Sequence, residues 1–106
     1  MSTHDAKSVC EFDEYIENHN KVVAAFVVED NDNCKKLVPE FKAFSTNYPD
    51  IDFVLVDTKK IPDLCYDYCI RDFPTFVYFK GGKRYQEVVG PDKVRVEEVI
   101  RFLRSA

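Results

Sequence analysis

Cys34 sits where an apolar run, residues 22–28, passes through the acidic turn Glu29-Asp30-Asn31-Asp32-Asn33 into a segment of helical periodicity. A thiol in the first turn of a helix can do nucleophilic sulfur chemistry, because the attacking species is the thiolate, which the helix dipole and the adjacent Lys35 and Lys36 favour. Glu29, Asp30 and Asp32 act in the opposite sense and favour the neutral thiol. Two readings follow from these opposed charges: a slow single-thiol nucleophile, or an inert cysteine under the turn. Cys65 and Cys69 form a second thiol group, spaced i, i+4. A disulfide needs Cβ atoms about 3.5 to 4.5 Å apart, whereas i, i+4 neighbours on a regular helix sit nearer ~6 Å. They are a pair of regulatory thiols if the helix ends or distorts between them, and core or junction cysteines otherwise. Cys10 reads as a small apolar residue at a strand-to-helix junction.

Metal chemistry finds little support in the same residues. Cys34, Cys65 and Cys69 offer one Cys-x-x-x-Cys pair, with no second pair and no nearby histidine, so no metal is expected. Asp30-x-Asp32 could begin a calcium loop, but the positions that require glycine and glutamate hold Lys35 and Phe41. Turn and helix-cap duty is the better account of these carboxylates, with either Asp30 or Asp32 as the cap.

The elements that must position Cys34 follow from periodicity. Residues 6–9 read as a short edge strand and 11–18 as a helix with Phe12, Tyr15 and Ile16 on one face. The continuous apolar run 22–28 reads as a central strand covered on both faces. Leu37, Phe41 and Phe44 then mark a helix to about Tyr48, with Pro39 inside it. Residues 51–57 read as a second buried strand, and 62–68 as a short helix opened by Pro62. Strands 75–80 and 83–89 flank Gly81-Gly82, a hairpin signature. Val96, Val99, Ile100 and Leu103 mark a closing amphipathic helix. The order β-α-β-α-β-α-β-β-α makes the first strands parallel and the last hairpin antiparallel, in a mixed sheet with helices on both faces.

Particular residues add a family resemblance. They are Phe26, the Cys34-Lys35 pair followed by Pro39, the Val56-Asp57 strand end, and Tyr68-Cys69-Ile70-Arg71. Phe73-Pro74-Thr75-Phe76, Phe79-Lys80-x-Gly82 and Gly90 before the last helix complete the set. Together they resemble thioredoxin from about Ala6 onward. The resemblance implies an α/β thioredoxin fold: a single domain over residues 1–106, residues 1–5 loose, with a central five-stranded sheet of order 1-3-2-4-5 flanked by four helices. It implies a cis bond before Pro74 and a peptide groove framed by Phe73, Pro74, Thr75 and the 29-to-34 turn. The family writes that turn Trp-Cys-Gly-Pro-Cys; here it is Asp30-Asn31-Asp32-Asn33-Cys34, with Asn31 at the attacking position. The family's buried acid corresponds to Ala25.

A carboxamide cannot attack sulfur, so a complete dithiol cycle at this turn is excluded. The reading preferred on that ground is a redox-divergent peptide- or protein-binding module that keeps the groove and takes partners with basic segments opposite its acidic turn. The alternative is a thiol-disulfide oxidoreductase acting through Cys34 with an external resolving thiol. A third reading is a structural subunit joined through an exposed cysteine; a monomer or weak dimer is expected. No cofactor is implied.

Composition sets the outer bounds. A chain of 106 residues, 45% hydrophobic and 32% charged, suits one globular domain. The net charge of −4, with both signs mixed along the chain, offers no basic stripe for nucleic acid. No apolar stretch approaches the roughly 20 residues of a membrane span, and the first residues lack the apolar run of a secretory signal. Four cysteines in a chain able to build its own core point to a reduced, cytoplasmic setting.

Overall fold

The computed structural model describes residues 3–106 and forms one five-stranded sheet of order β1-β3-β2-β4-β5 with four helices. The strands are β1 (His4–Asp5), β2 (Lys21–Val27), β3 (Asp52–Asp57), β4 (Thr75–Lys80) and β5 (Lys83–Val89). The helices are α1 (Val9–Asn18), α2 (Asp32–Asn47), α3 (Asp63–Asp67) and α4 (Lys93–Ser105). β1, β3 and β2 run parallel, and β4 and β5 antiparallel to their neighbours, as the order of elements requires.

β2 is the axis of the core because both its faces are apolar. Val23, Ala25 and Val27 face α2 and α4, where they join Leu37, Phe41, Phe44, Val96, Ile100 and Leu103. Val22, Ala24 and Phe26 face α1 and α3, with Phe12, Ile16 and Leu64. A strand covered on both sides cannot alternate with polar residues, which is why 22–27 reads as an unbroken apolar run. Tyr78 is fully buried, and its hydroxyl donates to the Val96 carbonyl at 2.9 Å, so the polar tip of a core side chain is satisfied by α4. At the far end of the sheet, Gly81 and Gly82 both adopt positive φ, 59° and 80°, which two-residue hairpin turns of this hand demand.

The N-terminal segment departs from the sequence reading. The strand expected at 6–9 is instead His4–Asp5, paired with Val54 and Leu55, so His4 and Asp5 of the segment expected to be loose are the sheet edge. Thr3 is also held, its hydroxyl donating to Ser45 Oγ at 3.3 Å; Met1 and Ser2 lie outside the described residues. The reason is a cap: Ser8 Oγ accepts the Glu11 N–H at 3.1 Å, which starts α1 at Val9. Cys10 thereby falls on an exposed face of α1 and is not an apolar junction residue.

α3 ends between Cys65 and Cys69, which is what a pair of regulatory thiols requires. α3 stops at Asp67, and Cys69 follows in the left-handed region with φ 57°, exposed, while Ile70 N–H donates back to the Cys65 carbonyl at 2.8 Å. That is the left-handed turn that ends many helices, and the two thiols do not share a helix face. All four cysteines are free thiols. A side chain in the left-handed region costs about 1 to 2 kcal/mol, partly offset by the greater unfolded-chain freedom of glycine. Cys69→Gly is therefore expected to raise stability by roughly 0.5 to 1 kcal/mol, read as a higher urea midpoint at unchanged slope. A lower midpoint would mean that the Cys69 side chain makes a stabilising contact outweighing its backbone cost.

Candidate active site

The site is built where β2 ends and α2 begins. After Val27 the chain turns through Val28, Glu29 and Asp30, and the Asn31 N–H donates to the Val28 carbonyl at 3.1 Å. The cap of α2 is neither Asp30 nor Asp32. Asn31 takes it: its backbone is extended, φ −81° and ψ 129°, and its Oδ1 accepts the Cys34 N–H at 3.0 Å. Asp32 becomes the first helical residue, where its charge meets the helix dipole favourably. Asp30 leaves the cap for an ion pair, its carboxylate accepting from Lys59 Nζ at 3.1 Å and held below the ordinary carboxylate range by that hydrogen bond. Asp32 and Asn33 are exposed on the turn.

Cys34 is 1% exposed, and its Sγ accepts the Val28 N–H at 3.4 Å. One residue thus ties the turn together twice, through its amide to Asn31 and through its sulfur to Val28. Burial pushes the Cys34 thiol up, and the Val28 N–H pulls it only part of the way back. Among the influences on this thiol, desolvation is the largest. The thiolate fraction at neutral pH is accordingly below that of a free cysteine. Alkylation of Cys34 is expected to accelerate with an inflection above the ordinary thiol value of about 8.5. Because the folded-state value is raised, the stability this group contributes is complete below the unfolded value and is lost as pH rises through the folded one. An alkylation inflection below about 8, followed on the Cys34 peptide, would overturn this order of effects.

Cys34 forms part of the wall of an open cavity of about 340 Å³, with Val27, Val28, Glu29, Lys35, Val38, Pro39, Leu55 and Asp57. Thr58 locks the β3 side of this region, donating both its N–H and its hydroxyl to the Val27 carbonyl, at 3.0 and 2.9 Å. Pro39, inside α2, has no N–H to give the Lys35 carbonyl, so the helix carries one fewer bond beside the cavity. Val38 and Leu55 were not singled out from sequence, whereas Asp57 was, in the Val56-Asp57 strand end. The available hint was that charge at the end of an apolar strand.

The second half of the expected site lies at the same end of the sheet. β2 and β4 pair Phe26 with Thr75, and continuing that register sets Pro74 opposite Val27. The Phe73–Pro74 bond is cis, Pro74 and Thr75 are buried, and the Thr75 hydroxyl donates to the Asp72 carbonyl at 2.6 Å. Phe73 is half-buried and packs against both core clusters, so much of its ring is structural. Phe73, Pro74 and Thr75 are absent from the wall of the Cys34 cavity. Cys65 and Cys69 are absent from it too, and line a separate cavity with Tyr66, Ile70 and Arg71. Burial also raises the Cys65 thiol.

This topology, with a cis-proline immediately before β4 at the end of the sheet where a helix with a cysteine in its first turn begins, defines a thioredoxin-fold protein. A family model described as Thioredoxin matches residues 4–104, and the chain belongs to the thioredoxin family. It is similar to Thioredoxin-1 of Saccharomyces cerevisiae, 31% identical over 94 residues, which cover 89% of this chain and 91% of that one. It is also similar to Thioredoxin-2 of Pyricularia oryzae, 29% identical over 100 residues, 94% of this chain but 58% of the length of that relative. Among solved structures it resembles one from a study of thiol resolving in yeast mitochondrial 1-Cys peroxiredoxin via the glutathione/thioredoxin systems. There the TM-score is 0.92 at 26% identity, covering 96% of each chain.

These findings correct the preferred functional reading. The expectation of a redox-divergent binding module does not stand: the matched proteins are thioredoxins by name, and this chain retains a cysteine in the first turn of α2. A single thiol can still exchange with a disulfide, because a second thiol can come from outside. The alternative reading, through Cys34, is the one the comparisons favour. No helix among the described residues is long and apolar enough to cross a membrane.

Proposed function

We propose that this chain is a thiol-disulfide oxidoreductase that works through the single thiol of Cys34. The thiolate attacks one sulfur of a partner disulfide, a mixed disulfide forms, and the partner's other sulfur leaves as a thiolate. An external thiol, glutathione or a partner cysteine, then attacks the mixed disulfide and returns Cys34 to the thiolate. Asn31 stands where the family's first cysteine would, so no second sulfur lies in the turn to do this internally. The observation that carries the reading is the Val28 N–H aimed at Cys34 Sγ in the first turn of α2. A donor so placed stabilises negative charge on sulfur, both when Cys34 attacks and when it is the leaving group.

The partner is a protein or peptide presenting a disulfide. With Asp30 engaged by Lys59, the carboxylates of Glu29 and Asp32 remain on the turn to favour a basic segment. A cytoplasmic setting, where glutathione keeps thiols reduced, would supply the resolving thiol. The solved structure tied to thiol resolving by the glutathione/thioredoxin systems supports the reading by its close fold.

The test is an insulin-type disulfide reduction assay with glutathione or dithiothreitol as the external thiol. Turnover is expected to rise in proportion to that thiol, and at Cys34 the reduced protein alone is expected to stop at the mixed disulfide. A rate no higher than the thiol-only background across neutral and alkaline pH would remove the proposal.

A further inference from the structure

We propose that the cavity beside Cys34 admits small uncharged disulfides to the thiol from the β3 side and turns glutathione disulfide away. The inference rests on Cys34 as the attacking thiol and names a substrate class for it beyond protein disulfides. Cys34 is almost wholly covered by protein, so a small molecule that reaches it does so through the cavity in whose wall it lies. That cavity, about 340 Å³, falls at the lower end of the ~300 to 1,000 Å³ of small-molecule sites. Val27, Val28, Val38, Pro39 and Leu55 make most of its wall apolar. Its charged members are Glu29 and Asp57 against one cation, Lys35.

Glutathione disulfide is a long, net anionic molecule. To bring its sulfurs to Cys34 it must strip water from carboxylates against an apolar wall and set them near Glu29 and Asp57, and both steps cost free energy. A neutral disulfide with short arms loses little hydration there. The sulfur exchange balances without any other oxidant: the Cys34 thiolate bonds to one sulfur of the disulfide, the S–S bond breaks, and the second sulfur leaves as a thiolate that takes a proton from water. An external small thiol then breaks the Cys34 mixed disulfide and carries the first half away as a new disulfide.

The experiment uses the full chain with hydroxyethyl disulfide and, separately, glutathione disulfide. Mixed disulfide at the Cys34 peptide is followed by mass mapping, so that Cys10, Cys65 and Cys69 do not obscure it. Each rate is divided by that of the same disulfide with an unstructured cysteine peptide. The normalised rate is expected to be about tenfold higher for hydroxyethyl disulfide, and Val38→Phe, which fills the cavity, is expected to lower it about tenfold. Should Val38→Phe fail to melt cooperatively, Val38→Leu serves, with a loss of about threefold. Equal normalised rates for the two disulfides, or no effect of the filling variant that folds, would overturn the cavity route while leaving Cys34 as the reactive thiol. No mixed disulfide on Cys34 with either probe would overturn the thiol reading as well.

Discussion

Cys34→Ser is expected to abolish turnover of a disulfide substrate at every external thiol concentration while leaving the fold intact. Serine keeps nearly the shape of cysteine, and its oxygen can accept the Val28 N–H that Sγ now accepts at 3.4 Å. What it loses is a sulfur that ionises and exchanges with a disulfide, since an alcohol forms no mixed disulfide and serves as no thiolate leaving group. The effect should be all or none rather than graded. A parallel variant with Cys10, Cys65 and Cys69 replaced by serine should keep its activity, because none of these residues shares the cavity with Cys34. If Cys34→Ser retains activity and the triple variant loses it, the chemistry belongs to the α3 turn or to Cys10.

Phe41→Ala is expected to cost about 3 to 5 kcal/mol, a large part of the roughly 5 to 15 kcal/mol that holds a domain of this size folded. Phe41 is 1% exposed and is the ring through which α2 grips the sheet. It meets Phe53 of β3 edge-on at 5.3 Å between centroids and Phe76 of β4 at 5.9 Å. Removing it leaves a cavity between a helix and two strands, which a packed core closes only partly. The urea midpoint should fall with an unchanged slope. The same change should accelerate alkylation of Cys34, because the helix that buries the thiol is the one that loses its anchor. A loss below about 1.5 kcal/mol, with Cys34 protected as before, would show that α2 is held chiefly by Leu37, Phe44 and α4.

Both results bear on how much of the molecule its sequence discloses. Strand and helix types are legible in residues 22–27, 37–44 and 96–103 because side-chain period reports which faces must leave water, and that is a local property. Parallel pairing of the first strands follows from the helices between them, and the hairpin from Gly81-Gly82. Cap choice was less legible. Asn31, Asp30 and Asp32 can all cap a helix; Asn31 does so, while Asp30 pairs with Lys59, distant in sequence. Likewise the i, i+4 spacing of Cys65 and Cys69 left open whether the helix reaches the second of them, and α3 ends at Asp67.

The sequence by itself determined the chemistry available: one cysteine in the first turn of α2, a carboxamide at Asn31, and an apolar residue at Ala25, so any disulfide exchange at this turn must use one sulfur. Only the tertiary structure decided how that sulfur behaves. Its charge state depends on burial beneath a turn and on the Val28 N–H, and its accessibility on a space enclosed by β2, β3 and α2 together. Desolvation and enclosure are properties of what surrounds a group, and those surroundings come from segments distant in the chain.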